Sequence, residues 1–89
     1  MLHPKFRLKF SPRASKKYSK LPNNLGKRIN KELSKLGKNP LYGFPLKGPL
    51  KGHRKIRIGN YRIIYQIKNQ DYVIYIKDIE HRSKVYKTS

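Results

Sequence analysis

Lys55, Arg57 and Arg62 are spaced to meet a phosphate. They lie in the stretch 53–68, HRKIRIGNYRIIYQIK, which reads as a β-hairpin around the two-residue turn Gly59 and Asn60. With that turn, Ile58 faces Tyr61, Arg57 faces Arg62, Ile56 faces Ile63, and Lys55 faces Ile64. Side chains alternate across a strand, so Ile56, Ile58, Tyr61 and Ile63 share one face and Lys55, Arg57 and Arg62 share the other. Two arginines directly opposite each other destabilise a hairpin by up to about 1 kcal/mol. A fold does not need that pair, but a polyanionic ligand would explain it.

If the ligand is RNA, the chain need not supply a nucleophile, because the 2′-OH does. The protein has to orient that hydroxyl, stabilise the pentavalent phosphorane and handle two protons. Lys55, Arg57 and Arg62 suit the second task, and His81, Tyr86 and Lys55 are the candidates for proton transfer. Each has a plainer reading. A cation on an exposed strand is ordinarily just solvated, a lone histidine is ordinarily structural or superficial, and a tyrosine near a C-terminus can simply pack. Three cations on one face of one hairpin weigh against the plain reading for the basic row.

The totals point the same way. The 89 residues carry 23 Lys+Arg against 4 Asp+Glu, a formal charge of +19. That imbalance asks for a polyanionic partner: nucleic acid, anionic lipid or an acidic protein. A chain of this length is expected to form a single domain, 1–89, with a thin core. The absence of cysteine excludes disulfides, thiolate chemistry and Cys-based zinc sites. Three histidines and four scattered acids do not make a metal site, so no metal and no small-molecule cofactor are expected. No apolar run approaches the roughly 20 residues that span a bilayer, and the N-terminus MLHPKFRLKF has no signal-peptide core. A cytoplasmic protein with no membrane partner is the expectation.

Several elements must position these residues. Residues 5–10, KFRLKF, alternate strictly, with Phe6, Leu8 and Phe10 on one face. Ser11 and Pro12 read as the N-cap and first residue of a short helix to about Lys20, with Ala14, Tyr18 and Leu21 inward. A second helix over about 22–37 carries the stripe Leu25, Ile29, Leu33 and Leu36, with Gly37 placed as its C-terminal cap. Residues 39–52, rich in Gly and Pro, read as one long loop, with Phe44, Leu46 and Leu50 tucked under the sheet edge or serving function. Asn69 and Gln70 are expected to turn the chain into DYVIYIKDIE, a strand apolar on both faces and therefore central. A two-residue loop there pairs Ile63 with Ile76 and Arg62 with Lys77, extending the basic row. The expected fold class is α+β in the order β-α-α-β-β-β. A helical hairpin packs on one face of a small, mainly antiparallel sheet whose other face is basic and concave.

The chain resembles the RelE/ParE superfamily of bacterial and archaeal toxins over nearly its whole length. The likeness runs through LKFSPRASKKYSKL, L-x-K-L-x-x-NP, LKGPLKGHRKIRIGNYRIIYQI and IKDIEHRSKVY. Its most specific pieces are L-x-G-x-x-x-G-x-x-K-I-R-x-G-x-Y-R-x-x-Y and the closing HR-x-x-VY. The resemblance implies two helices against an antiparallel sheet. In the RelE branch it implies a ribosome-dependent endoribonuclease that cuts mRNA in the A site, leaving a 2′,3′-cyclic phosphate. By position, Lys55 and Arg57 match residues credited with base and charge-stabilising roles, and Arg62 matches an arginine that stabilises the transition state. Tyr86 matches a tyrosine that stacks on the base or takes the 2′-OH proton. His81 and Arg82 both lie where members place the general acid, so the acid stays open. Arg54, Lys47, Lys51 and Lys77 are the expected further RNA contacts. The implied partners are the ribosome, mRNA and an acidic, RelB-like antitoxin. The ParE branch shares the scaffold but poisons DNA gyrase, and a non-catalytic RNA- or ribosome-binding protein is the third class.

Overall fold

The computed structural model describes residues 5–82. In chain order the elements are β1 (Arg7–Phe10), α1 (Pro12–Ser19), α2 (Asn23–Lys38), β2 (Phe44–Pro45), β3 (Arg54–Ile58), β4 (Tyr61–Lys68) and β5 (Val73–His81). The strands form one five-stranded sheet in the order β1-β5-β4-β3-β2. β1 runs parallel to β5, and the other neighbours are antiparallel. The arrangement is the expected α+β one with an extra strand. β5, apolar on both faces, lies between β1 and β4 as its composition suggested.

The core lies between the helices and one sheet face. Ala14, Ile29, Leu33 and Leu36 pack there against Ile56, Ile58, Ile63, Tyr65, Ile74, Ile76 and Ile79. Burying each large aliphatic side chain contributes roughly 1.5–3 kcal/mol. Ser11 joins β1 to α1. Its hydroxyl oxygen accepts from the Ala14 amide at 3.0 Å, as the N-cap reading required, and its O–H donates to the Lys77 carbonyl at 2.7 Å. Among the described residues, no helix is long and apolar enough to cross a membrane.

Four details differ from the sequence reading. Gly37 is not a cap, since α2 continues to Lys38. A Cβ at Gly37 would lie 3.2 Å from the Phe6 carbonyl oxygen, so its small size serves close approach to the chain entering β1. The stretch 39–52 is not one irregular loop. It contains tight turns at Pro40–Tyr42 and Gly48–Leu50, with the edge strand β2 between them. Phe44 is not tucked away but 71% exposed, and Leu50 is 37% exposed.

The fourth difference bears on the site. The β3–β4 register is as expected, with Arg57 opposite Arg62 and Lys55 opposite Ile64. Gly59 has φ +58°, the left-handed first position that a tight II′ hairpin turn asks for. The β4–β5 register is not as expected. The chain turns through Asn69–Asp71 and a left-handed Tyr72, φ +52°, instead of a two-residue loop. A bulge then separates Tyr65↔Ile76 from Ile64↔Asp78, leaving Lys77 without a cross-strand partner. Beyond it, Ile63 pairs with Ile79 and Arg62 with Glu80, not with Ile76 and Lys77. The extra residue flips the parity of everything after it: Asp78, Glu80 and Arg82 take the face away from the helices, and Ile79 and His81 take the core side.

Candidate functional site

The hairpin tip carries an open depression of about 160 Å³ on the side away from the helices. Lys55, Arg57, Gly59, Asn60, Tyr61, Arg62 and Arg82 line it. Lys55 and Arg57 come from β3 and Arg62 from β4, by the register that the Gly59 turn sets. Arg82 arrives from the end of β5, where its backbone N–H donates to the Asn60 carbonyl at 2.7 Å. That bond ties the last described residue to the turn, so four cations from three chain segments meet at one place. The Arg28 guanidinium of α2 also approaches the tip, 3.5 Å from where a Cβ on Gly59 would sit.

Arg62 is held from one side. Its Nε and Nη2 donate to the same oxygen, Oε1 of Glu80, at 3.1 and 2.6 Å. Both side chains are partly exposed, at 26% and 31%, so the pair adds little to stability. Its effect is geometric: the guanidinium is fixed between Arg57 on β3 and Glu80 on β5. Glu80 also relieves the like-charge row that the hairpin creates. It belongs to the next depression along the same face, of about 600 Å³, lined by Ser11, Pro12, Arg13, Leu50, Ile64, Tyr75, Lys77, Asp78 and Glu80. In that stretch Asp78 accepts from Lys17 Nζ at 2.8 Å, tying α1 to the bulge.

Other sequence candidates fall elsewhere. His81 lies on the core side, its ring edge-on to Tyr61 with centroids 4.9 Å apart. It lines a separate recess with Lys17, Lys20, Leu21, Tyr61 and Ile79. Arg54 points to the core side too, where its Nη2 donates to the carbonyls of Gly43 at 2.6 Å and Leu41 at 3.2 Å. That use is structural. Lys77 has left the row and stands with its Nζ 3.4 Å from His53 Nε2. Lys47 and Lys51 are exposed in the 46–52 segment and do not line the depression at the tip. Tyr86 lies outside the described residues.

Sequence reasoning missed Glu80, Asn60 and Tyr61 as members or neighbours of this site. A signal for Glu80 existed. Ile76 and Ile79 are both core residues at a spacing of three, which strict alternation forbids and a bulge explains. For Arg28 there was no signal, since only the packing of α2 brings it to the tip. The two groups whose titration is displaced, Glu32 downward and Lys35 upward through their mutual bond, do not line the depression. Glu32 accepts from Lys35 Nζ at 3.0 Å and from the Tyr42 hydroxyl at 2.8 Å, and these bonds hold its carboxyl below the usual range. Among the described residues, no three His, Asp or Glu side chains gather as metal ligands.

Chemically, the depression gathers one ammonium and three guanidinium groups that can meet an anion. Lys55 and Tyr61 are its titratable side chains other than the arginines, and of the three guanidiniums Arg62 is the one held in place, by Glu80.

The comparisons with known proteins agree with this fold. The family model of the ParE toxin of type II toxin–antitoxin systems, parDE, matches residues 8–86. The structure is similar to the RelBE2 toxin–antitoxin complex of Mycobacterium tuberculosis, with TM-score 0.80 and 27% identity over 93% of this chain and 95% of that one. It is similar to the isolated E. coli RelE toxin, with TM-score 0.76 and 25% identity over 93% of each chain. The archaeal RelE–RelB complex from Pyrococcus horikoshii shares the fold, with TM-score 0.73 and 24% identity over 90% of this chain and 98% of that one. A search of curated protein sequences returned no match. With the family model spanning nearly all of its length and RelE structures superposing on its sheet and helices, the chain belongs to the RelE/ParE superfamily of type II toxins.

Proposed function

We propose that this toxin is a ribosome-dependent endoribonuclease, one domain over residues 1–89, acting in the cytoplasm on mRNA in the ribosomal A site. The observation that carries the reading is the convergence of Lys55, Arg57, Arg62 and Arg82 on a single depression. In the proposed reaction the 2′-oxygen attacks the adjacent phosphorus and the bond to the 5′-oxygen breaks, leaving a 2′,3′-cyclic phosphate. The 2′-OH proton passes to the Lys55 amine acting as base, and the departing 5′-oxygen takes up a proton from water. Arg57 and Arg62 stabilise the dianionic phosphorane, where fixed donors contribute most. Arg82 stabilises charge on the leaving oxygen. Its position at the depression favours it over His81 for contact with that oxygen, and Tyr86 keeps the stacking role that the resemblance implies. The reaction needs no cofactor.

The partners in this reading are the ribosome, mRNA and an acidic RelB-like antitoxin. An acidic segment binding the folded toxin would stabilise it by mass action and mask the cations. The test is to express wild type and Arg62→Ala in cells and map mRNA 5′ ends. Codon-positioned cuts that fall by roughly 10²-fold or more in Arg62→Ala are expected. A wild type that arrests growth without such cuts would overturn the reading.

The matched family model, named for ParE, favours one second reading: a DNA gyrase poison built on the same scaffold. That protein would leave mRNA intact and yield cleaved or relaxation-blocked plasmid DNA.

A further inference from the structure

We infer that Phe44 is a stacking platform for a nucleobase beside the cationic depression. This rests on the nucleic-acid reading of the site but not on the cleavage step.

The argument begins with exposure. Phe44 is 71% exposed, while the other phenylalanines, Phe6 and Phe10, pack against the core. The segment around it is nonetheless tightly held. Tyr65, with no exposed surface, donates its O–H to the Pro40 carbonyl at 2.8 Å and accepts from the Gly43 amide at 3.0 Å. Arg54 donates to the Gly43 carbonyl at 2.6 Å. A Cβ on Gly43 would lie 2.4 Å from the Lys55 carbonyl oxygen, so only glycine lets the chain come this close to β3. On the far side, the Leu46 amide donates to the His53 carbonyl at 2.9 Å. A buried tyrosine, a half-buried arginine and a glycine thus fix the backbone of a residue whose ring stays largely in water.

Register says what the ring is held for. Phe44 pairs directly with Lys55 across β2 and β3. Direct cross-strand neighbours share a face, with Cβ atoms about 5 Å apart. Lys55 lines the depression, so the ring stands at the edge of the proposed phosphate seat, on the same face. A nucleobase lies about that far from its own phosphate. Aromatic rings on a sheet face, flanked by cations, are a general means of holding single-stranded bases. Lys47 and Lys51, exposed in the same segment, favour a polyanion over an apolar protein partner at this position.

The test uses the purified toxin and a short oligoribonucleotide that is 2′-O-methylated throughout, so that it cannot be cut, and carries one 2-aminopurine. Wild type, Phe44→Ala, Phe44→Tyr and Lys55→Ala are titrated at several salt concentrations. Quenching of 2-aminopurine is expected with wild type and Phe44→Tyr. Phe44→Ala should lose the quenching and bind roughly 5- to 150-fold more weakly, the range for one base–aromatic stack. Its salt slope should match wild type because no charge changes, whereas the Lys55→Ala slope should fall by about one ion. An unchanged urea midpoint shows that Phe44→Ala is folded. Equal affinity and quenching in wild type and Phe44→Ala would overturn the inference, as would a wild type that does not bind the oligonucleotide at low salt. Unchanged RNA affinity with weakened binding of an acidic antitoxin peptide would overturn it in favour of a protein-docking role. Absence of mRNA cuts in cells would overturn the nuclease reading alone and leave this binding result standing.

Discussion

Arg62 reaches one oxygen of Glu80 with two of its donors, leaving the rest of the guanidinium fork for a ligand. In the proposed nuclease Glu80 therefore acts on Arg62's aim, not as a group that meets RNA. Glu80→Ala is expected to lower cleavage by up to about 100-fold, the cost of a misplaced group of this kind. Glu80→Gln, which keeps an acceptor, should recover part of that loss. Single-turnover cleavage on programmed ribosomes would measure both, and a Glu80→Ala toxin that cuts as fast as wild type would show that Arg62 needs no support. The choice between His81 and Arg82 belongs to the same scale. Arg82 lines the depression and His81 does not, so Arg82→Ala should lower cleavage by roughly 10²-fold and His81→Ala should leave it close to wild type. The reverse ranking would put the essential group on the helix-side face.

At the scale of elements, the outcome turns on two short irregularities. The β3–β4 hairpin was legible because both of its signals are written in residue types: strict alternation, and a glycine where the turn needs positive φ. The α1 start was legible for the same reason, in Ser11 and Pro12. The β4–β5 connection was not. Its left-handed residue is Tyr72, not a glycine, and its bulge at Lys77 leaves only the irregular spacing of Ile76 and Ile79 as a trace. The longer turn moves the register by two residues and the bulge by one more, which together put Glu80 instead of Lys77 opposite Arg62; the bulge, by flipping the parity, puts Arg82 instead of His81 at the depression. β2 was not legible either, since two residues, one of them proline, cannot show a period. The clamp that holds β2 can be tested. Tyr65→Phe leaves the buried Gly43 amide without its acceptor and should cost about 1–3 kcal/mol in urea unfolding. A cost near zero would mean that water replaces the hydroxyl. A second tether joins α2 to the turn before β2, through Glu32 and Tyr42. The folded state holds the Glu32 carboxyl low, so its contribution is present above the ordinary carboxylate range and is lost as pH falls through the lowered value. The stability difference between wild type and Glu32→Gln should accordingly shrink on acidification, and a difference that grows would contradict the assignment.

For the molecule as a whole, charge acts on stability and binding in opposite directions. At +19 over 89 residues the folded chain repels itself, and the helices carry cations on most of their outer faces. Raising salt from low to physiological strength should raise the melting temperature of the free toxin while weakening its binding to RNA. A melting temperature that falls with salt would show that ion pairs such as Lys17–Asp78 and Arg62–Glu80 outweigh the self-repulsion. An acidic antitoxin would remove the same repulsion by binding, which couples toxin stability to the partner's presence. Salt dependence does not separate a nuclease from a gyrase poison or a plain RNA binder, since all three share the charge. Mapping mRNA 5′ ends after expressing wild type and Arg62→Ala does separate them. Cuts at fixed positions within codons, lost in Arg62→Ala, are expected; growth arrest by the wild type with mRNA intact would contradict the proposal that this basic depression is a nuclease site.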